Sequence, residues 1–132
     1  MVSEKNILAV QDAFKRFSEG DLPGFLDLCA DDIEWDHRGP DSPLDKLYKG
    51  KEGVMEFLGT LSTTQEVLEF EPREYFSDGD RVVALGHFHF KVIETGRDWA
   101  SDFAMVYTLK DGLISHWRGI FDMTAESVAY QH

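Results

Sequence analysis

The sequence predicts an α+β fold in which N-terminal helices pack inside a strongly curved antiparallel sheet. Three observations carry this. Apolar residues recur at helical spacing through the first part of the chain. Four long segments with strand patterning fill the second half. Between them, Ser77-Asp78-Gly79-Asp80, Thr95-Gly96-Arg97 and Lys110-Asp111-Gly112 have the turn chemistry of successive hairpins. Helices followed by a meander make an α+β layout rather than an alternating α/β one. A sheet curled around packed helices takes the shape of a cone with a cavity inside.

Taken in order, Ser3 and Asn6 open a first helix running to about residue 19, with Ile7, Val10, Phe14 and Phe17 as its apolar stripe. Gly20 caps its end. Asp21 caps a second helix with Pro23 in its first turn, buried by Phe25, Leu26 and Leu28. The alternation in residues 33–37 (IEWDH) marks a short strand, and the two prolines in residues 39–49 mark a loop. Residues 51–61 form a third helix burying Val54, Phe57, Leu58 and Leu61. Strands follow at 67–76, 81–95, 99–110 and 113–123, and residues 125–132 either form a short helix or fray.

Composition excludes several function classes. The 132 residues form one domain, 1–132, and are 42% hydrophobic and 13% aromatic, enough for a sizeable core. A net charge of −12 repels phosphate backbones and anionic lipid, which argues against nucleic-acid or membrane partners. No segment approaches the ~18 apolar residues of a membrane helix, and the N-terminus lacks a signal pattern, so a cytoplasmic location is expected. Cys29 is the only cysteine and falls on an apolar face, as a core residue does. No glycine-rich phosphate loop or serine-nucleophile elbow is present, and no cofactor is expected.

The last strand (LISHWRGIFD) is the most informative. His116, Arg118 and Asp122 are evenly spaced, and residues two apart share a strand face. Polar groups aimed at a core are costly unless paired or set around a cavity, so they suggest a pocket. Parity adds Trp35, His37, Ala84, Gly86, Phe88, Phe90, Trp99, Ser101, Phe103, Met105, Tyr107 and Ile120 to its walls, with Tyr48 and Phe57 closing it. Ala84 and Gly86 would leave room opposite the aromatics. His37 is either a general base or a strand-end histidine bonded to a neighbour such as Asp36. His116 and Arg118 either bind a carboxylate or enolate oxygen or form a buried ion pair with Asp122 or a helix carboxylate. Asp122 either orients them, acts as a base, or is a turn residue. Tyr107 is an oxyanion donor or an aromatic core residue with its hydroxyl at the edge. His87 and His89 share the opposite face. Their spacing suits a metal, but a third ligand is not evident beyond Asp102 or Glu94, so no metal is expected. Parity puts Asp102 on that outer face too, unless a bulge turns it inward.

Residues 20–35 (GDLPGFLDLCADDIEW) resemble the helix-two signature of the nuclear transport factor 2-like superfamily. Residues 103–122 (FAMVYTLKDGLISHWRGIFD) resemble the last hairpin of its SnoaL-like branch, which includes polyketide cyclases and ketosteroid isomerase relatives. The resemblance implies a cone-shaped, cystatin-like fold, a pocket for a small apolar molecule and a homodimer through the outer sheet face. Aligning residues 30–37 (ADDIEWDH) with the isomerase places His37 where its basic aspartate stands. The isomerase's oxyanion-hole tyrosine and aspartate fall on Ala13 and Met105, neither of which donates a hydrogen bond, so steroid isomerisation by that mechanism is not expected. The expected function is acid–base chemistry, of isomerase, cyclase or dehydratase type, on an apolar carbonyl or cyclic compound. Its catalytic set is His37, His116, Arg118 and Asp122. Its binding set is Trp35, Tyr48, Phe57, Phe88, Trp99, Phe103, Met105 and Tyr107. The alternatives are a non-catalytic ligand-binding dimer, or a scaffold whose cavity has collapsed around Trp35, Trp99 and Phe88.

Overall fold

The computed structural model describes residues 2–132, with side chains from residue 4 onward, so the expected Ser3 cap lies outside the described side chains. The order is α1 (Val2–Ser18), α2 (Leu22–Asp27), β1 (Cys29–His37), β2 (Lys46–Lys49), α3 (Gly50–Thr64), β3 (Gln65–Asp78), β4 (Arg81–Val92), β5 (Asp98–Lys110), β6 (Leu113–Ile120) and α4 (Met123–Tyr130). The strands form one curved, open sheet in the order β2-β1-β6-β5-β4-β3. Among the described residues only the β1–β6 pair is parallel.

Local chemistry explains the boundaries. Asp21 accepts the Gly24 N–H at 3.0 Å, capping α2 with Pro23 in its first turn. Asp111 and Gly112, at φ 54° and 80°, make the tight turn that fixes the β5–β6 register. One expectation changes here, and of the two alternatives for the tail the structure has the helix. The loop at 39–49 contains β2, which pairs Lys46 with His37 and Lys49 with Glu34. The tail is an ordered helix: Asp122 Oδ1 accepts the Ala125 N–H, Ser127 donates to the Pro40 carbonyl, and Thr95 donates to the Ala129 carbonyl.

Val10 and Ala13 of α1, Phe25 of α2 and Val54, Phe57 and Leu58 of α3 are buried against the concave face of the sheet. Phe70, Phe88, Phe90, Trp99, Phe103 and Phe121 form a continuous set of ring contacts at 5.1–6.4 Å. Each such pair contributes about 0.5–1.5 kcal/mol beyond its area burial. Gly86 is required by close approach: a Cβ there would stand 2.3 Å from the Glu71 carbonyl oxygen and 2.5 Å from Phe103 Cζ. The space expected beside Gly86 is thus taken by the Phe103 ring and the β3 backbone, and neither Ala84 nor Gly86 lines the cavity. Among the described residues no helix is long and apolar enough to cross a membrane.

Candidate functional site

The cone holds a cavity of about 70 Å³. Trp35 and His37 of β1, Phe57 of α3, Phe88 and Phe90 of β4, and Trp99, Phe103, Met105 and Tyr107 of β5 line it. Ala13 and Phe14 of α1 and Phe25 of α2 complete the helical side. Half-buried Phe14, Phe17, Leu61 and Phe70 mark where it approaches solvent.

The β6 side chains are reversed from the expectation. Leu109 pairs with Ile114 but Thr108 pairs with His116, so Ser115 is an extra, bulged residue. One inserted residue sends every later side chain to the opposite face. Trp117, Gly119 and Phe121 therefore face the cavity, while His116, Arg118 and Ile120 lie on the outer side, with Arg118 exposed. Asp122 is exposed and caps α4. Ser101 is not part of the wall either; its hydroxyl donates to the Asp102 carbonyl and accepts the Asp122 N–H. Tyr48 is buried behind the wall, edge-on to Phe57 at 5.4 Å, with its hydroxyl donating to the Leu44 carbonyl at 3.0 Å.

In place of the expected β6 set, α4 supplies Glu126. It is 1% exposed, and its Oε1 lies 3.0 Å from His37 Nε2. A directed chain of bonds holds it. The Trp99 indole N–H can only donate, and it donates to Gln65 Oε1 at 2.8 Å. That fixes the amide, whose Nε2 donates to Glu126 Oε2 at 3.3 Å and to the Tyr130 hydroxyl at 2.8 Å. Tyr130 then donates to Thr64, and Thr64 to the Thr60 carbonyl. As a carboxylate receiving two donors, Glu126 commits His37 Nε2 to carrying a proton. A ring with its single proton on Nε2 has its lone pair on Nδ1, which has no partner among the described residues. Nδ1 is covered, with the Phe57 and Phe121 rings each 5.1 Å from the imidazole. Burial raises the Tyr107 pKa, only partly offset by the nearby Trp117 indole, so the hydroxyl keeps its proton. Its contact is the Met105 thioether at 3.7 Å, a weak acceptor.

Glu126 had no signal in the sequence beyond Asp122 heading a short run of helix formers. The reversal of β6 did have one, in the alternation Trp117, Gly119, Phe121.

Outside the cavity, His87 pairs with Asp102 at 2.9 Å and His89 with Asp98 at 2.7 Å. The β4–β5 register runs unbroken from Asp98 to Thr108, so Asp102 stays on the outer face. Among the described residues no group of three His, Cys, Asp or Glu side chains could hold a metal ion. Cys29 is buried, and burial pushes its thiol up to about 11, far from a nucleophile's range.

A helix-lined curved sheet around a small aromatic cavity, with a buried histidine–carboxylate pair in its wall, defines a protein of the α+β cone class. The SnoaL-like domain family matches residues 10–117, and the chain belongs to that branch of the NTF2-like superfamily. It is similar to an NTF2-like protein from Burkholderia xenovorans, 28% identical over 98% of both chains with a TM-score of 0.90. An NTF2-like protein of unknown function from Burkholderia pseudomallei is 25% identical over 97% of this chain and 98% of that one, TM-score 0.86. TerC, co-crystallised with polyporic acid, is 28% identical over 95% of this chain and 97% of its own, TM-score 0.78. No curated protein matches the chain.

Proposed function

We propose that the protein is an enzyme of the SnoaL-like type that moves a proton within a small, largely apolar carbonyl or cyclic compound. The reaction would be of isomerase, cyclase or dehydratase type. The observation that carries this is the buried His37–Glu126 pair in the wall of an aromatic cavity. His37 Nδ1 takes a proton from a carbon next to a carbonyl. The resulting imidazolium is stabilised by Glu126 at 3.0 Å and returns the proton elsewhere on the molecule. That TerC was crystallised with polyporic acid supports a small-molecule occupant for the related cavity here. A void of roughly 150 Å³ holds benzene. At about half that volume, the cone admits a ring only when half-buried side chains such as Phe14, Phe70 or Phe121 give way.

The second reading is a non-catalytic dimer that holds a ligand, favoured by the covering of Nδ1. In both readings the outer face of the sheet forms the dimer. Half-buried Val83, Leu85 and Val106 and the 45%-exposed Ile120 support this, and sedimentation equilibrium tests it.

Deuterium uptake by 3-cyclohexenone in D₂O separates catalysis from binding, because its C2 protons are both allylic and next to the carbonyl. The enzyme is expected to accelerate uptake, and His37→Gln to return it to the solvent rate. Binding without acceleration by the wild type, or equal acceleration by His37→Gln, overturns the catalytic reading.

A further inference from the structure

Trp35 and Trp117 stand opposite each other on the parallel β1–β6 pair, their rings stacked at 4.2 Å and 9°. Both residues line the cavity and are 5% and 3% exposed. Among the described residues neither buried indole N–H meets an acceptor in hydrogen-bond geometry, although the Trp117 N–H interacts with the Tyr107 oxygen strongly enough to lower that hydroxyl's pKa, so Trp35 is the donor wholly without an acceptor. Gly119 leaves room for the Trp117 ring: a Cβ there would stand 2.7 Å from Trp117 Cη2. A buried indole N–H ordinarily finds an acceptor, and leaving one without costs stability. A Trp35 N–H without an acceptor and a Trp117 N–H with only the Tyr107 oxygen near it, on stacked rings in a cavity wall, are explained if the acceptor arrives with a ligand. Tyr107, the cross-strand neighbour of Trp117, adds an O–H whose contact is a thioether. That end of the cavity therefore offers donors and, apart from the thioether, no acceptor beyond the Tyr107 oxygen itself.

Charge narrows the ligand further. The wall contains no lysine or arginine, and it does contain Glu126. A carboxylate or phosphate entering here would be buried near Glu126 with no lysine or arginine to offset it, and the His37 proton is already held by Glu126. We infer that Trp35 and Trp117 are the donor pair that receives the carbonyl oxygen of a neutral ligand, and that the site rejects anionic ones. This rests on the cavity being a ligand site, as proposed above. It assigns the oxygen-binding end, where the sequence pointed to Arg118 and His116.

The test uses cyclopentanone and its isostere methylenecyclopentane, which differ in C=O against C=CH₂, with cyclopentanecarboxylate as the anionic probe. The chain has three tryptophans, so three indole N–H resonances report by nitrogen–proton NMR. The ketone is expected to move the Trp35 and Trp117 signals downfield while the alkene does not, and the carboxylate is expected not to bind at neutral pH. In the Trp35→Phe/Trp117→Phe double variant, the ketone-to-alkene affinity ratio falls at least about tenfold, a change of ~1.4 kcal/mol. The ratio cancels the extra volume that phenylalanine leaves, and the wild-type shifts stand if the double variant does not fold. An unchanged ratio, or indole signals that respond alike to ketone and alkene, overturns the donor role and leaves the cavity reading intact. Binding of the carboxylate as tightly as the ketone overturns the neutral-ligand claim. Failure of all three to bind overturns the cavity reading itself, and the donor proposal with it.

Discussion

Glu126→Gln is the sharpest perturbation, because it changes a charge and almost no volume. Trp99 holds the Gln65 amide so that its N–H₂ faces residue 126. A glutamine at 126 must meet that donor with its oxygen, which turns its own N–H₂ toward His37 Nε2. Nε2 must then accept, so the imidazole proton moves to Nδ1 and the proposed base loses its lone pair. Two hydrogen bonds to a charged acceptor, at roughly 1.5–3 kcal/mol each, become two neutral ones at roughly 0.5–1.5. Relief from burying a charge offsets part of that difference. The expected net cost is about 1 kcal/mol, read as a shifted urea midpoint. Glu126→Ala instead strands both donors beside a new void and costs about 3–5 kcal/mol. Catalysis reverses the contrast in subtlety: the well-folded Glu126→Gln protein loses at least about 100-fold in deuterium uptake. Long-range nitrogen–proton correlation of the His37 ring reads the tautomer directly. A ring that keeps its proton on Nε2 in Glu126→Gln, or a variant with wild-type turnover, refutes the reasoning.

Gly86→Ala forces a Cβ to within 2.3 Å of the Glu71 carbonyl and 2.8 Å of Pro72 Cα, backbone atoms that cannot rotate away. The expected cost is about 3 kcal/mol, and an unchanged urea midpoint would mean that β3 and β4 separate freely. Arg118→Ala is expected to shift stability by no more than about 0.5 kcal/mol and to leave deuterium uptake at the wild-type rate, because the side chain is exposed outside the cone. Alkaline pH should unfold the protein. Burial raises the Cys29 thiol to about 11 and raises the Tyr48, Tyr75, Tyr107 and Tyr130 hydroxyls. These groups stay neutral in the fold while the unfolded chain ionises. Their contribution is intact below about pH 9 and is lost as pH rises toward 11, at up to ~1.4 kcal/mol per pH unit for each group. Denaturation midpoints that do not fall between pH 8.5 and 10.5 would refute this.

The contrast between β1 and β6 shows what a sequence of this kind reveals and what it hides. In β1 the alternation of Ile33, Trp35 and His37 runs unbroken to the strand end, so parity placed His37 on the cavity side. In β6 the same logic failed, because parity is a local rule and the bulge at Ser115 is set by a neighbour. The tight turn at Asp111-Gly112 fixes Lys110 against Leu113, and the Ser115 hydroxyl bonds the Thr108 carbonyl where the ladder slips. Trp117 and Phe121 could have decided the matter, since two large rings facing water cost more than a histidine and an arginine doing so. Glu126 is a harder case. In its own helix it is indistinguishable from a surface glutamate, and its burial depends on partners distant in sequence: His37 lies 89 residues away and Gln65 lies 61. Helix pattern reports a face only when that face is apolar, and α4 turns a carboxylate inward. A buried acid at the centre of a hydrogen-bond network is specified by the residues that satisfy it. Gln65, which lies between the expected third helix and the expected strand at 67–76, and Trp99, read as part of a wall, are the residues that encode the position of Glu126.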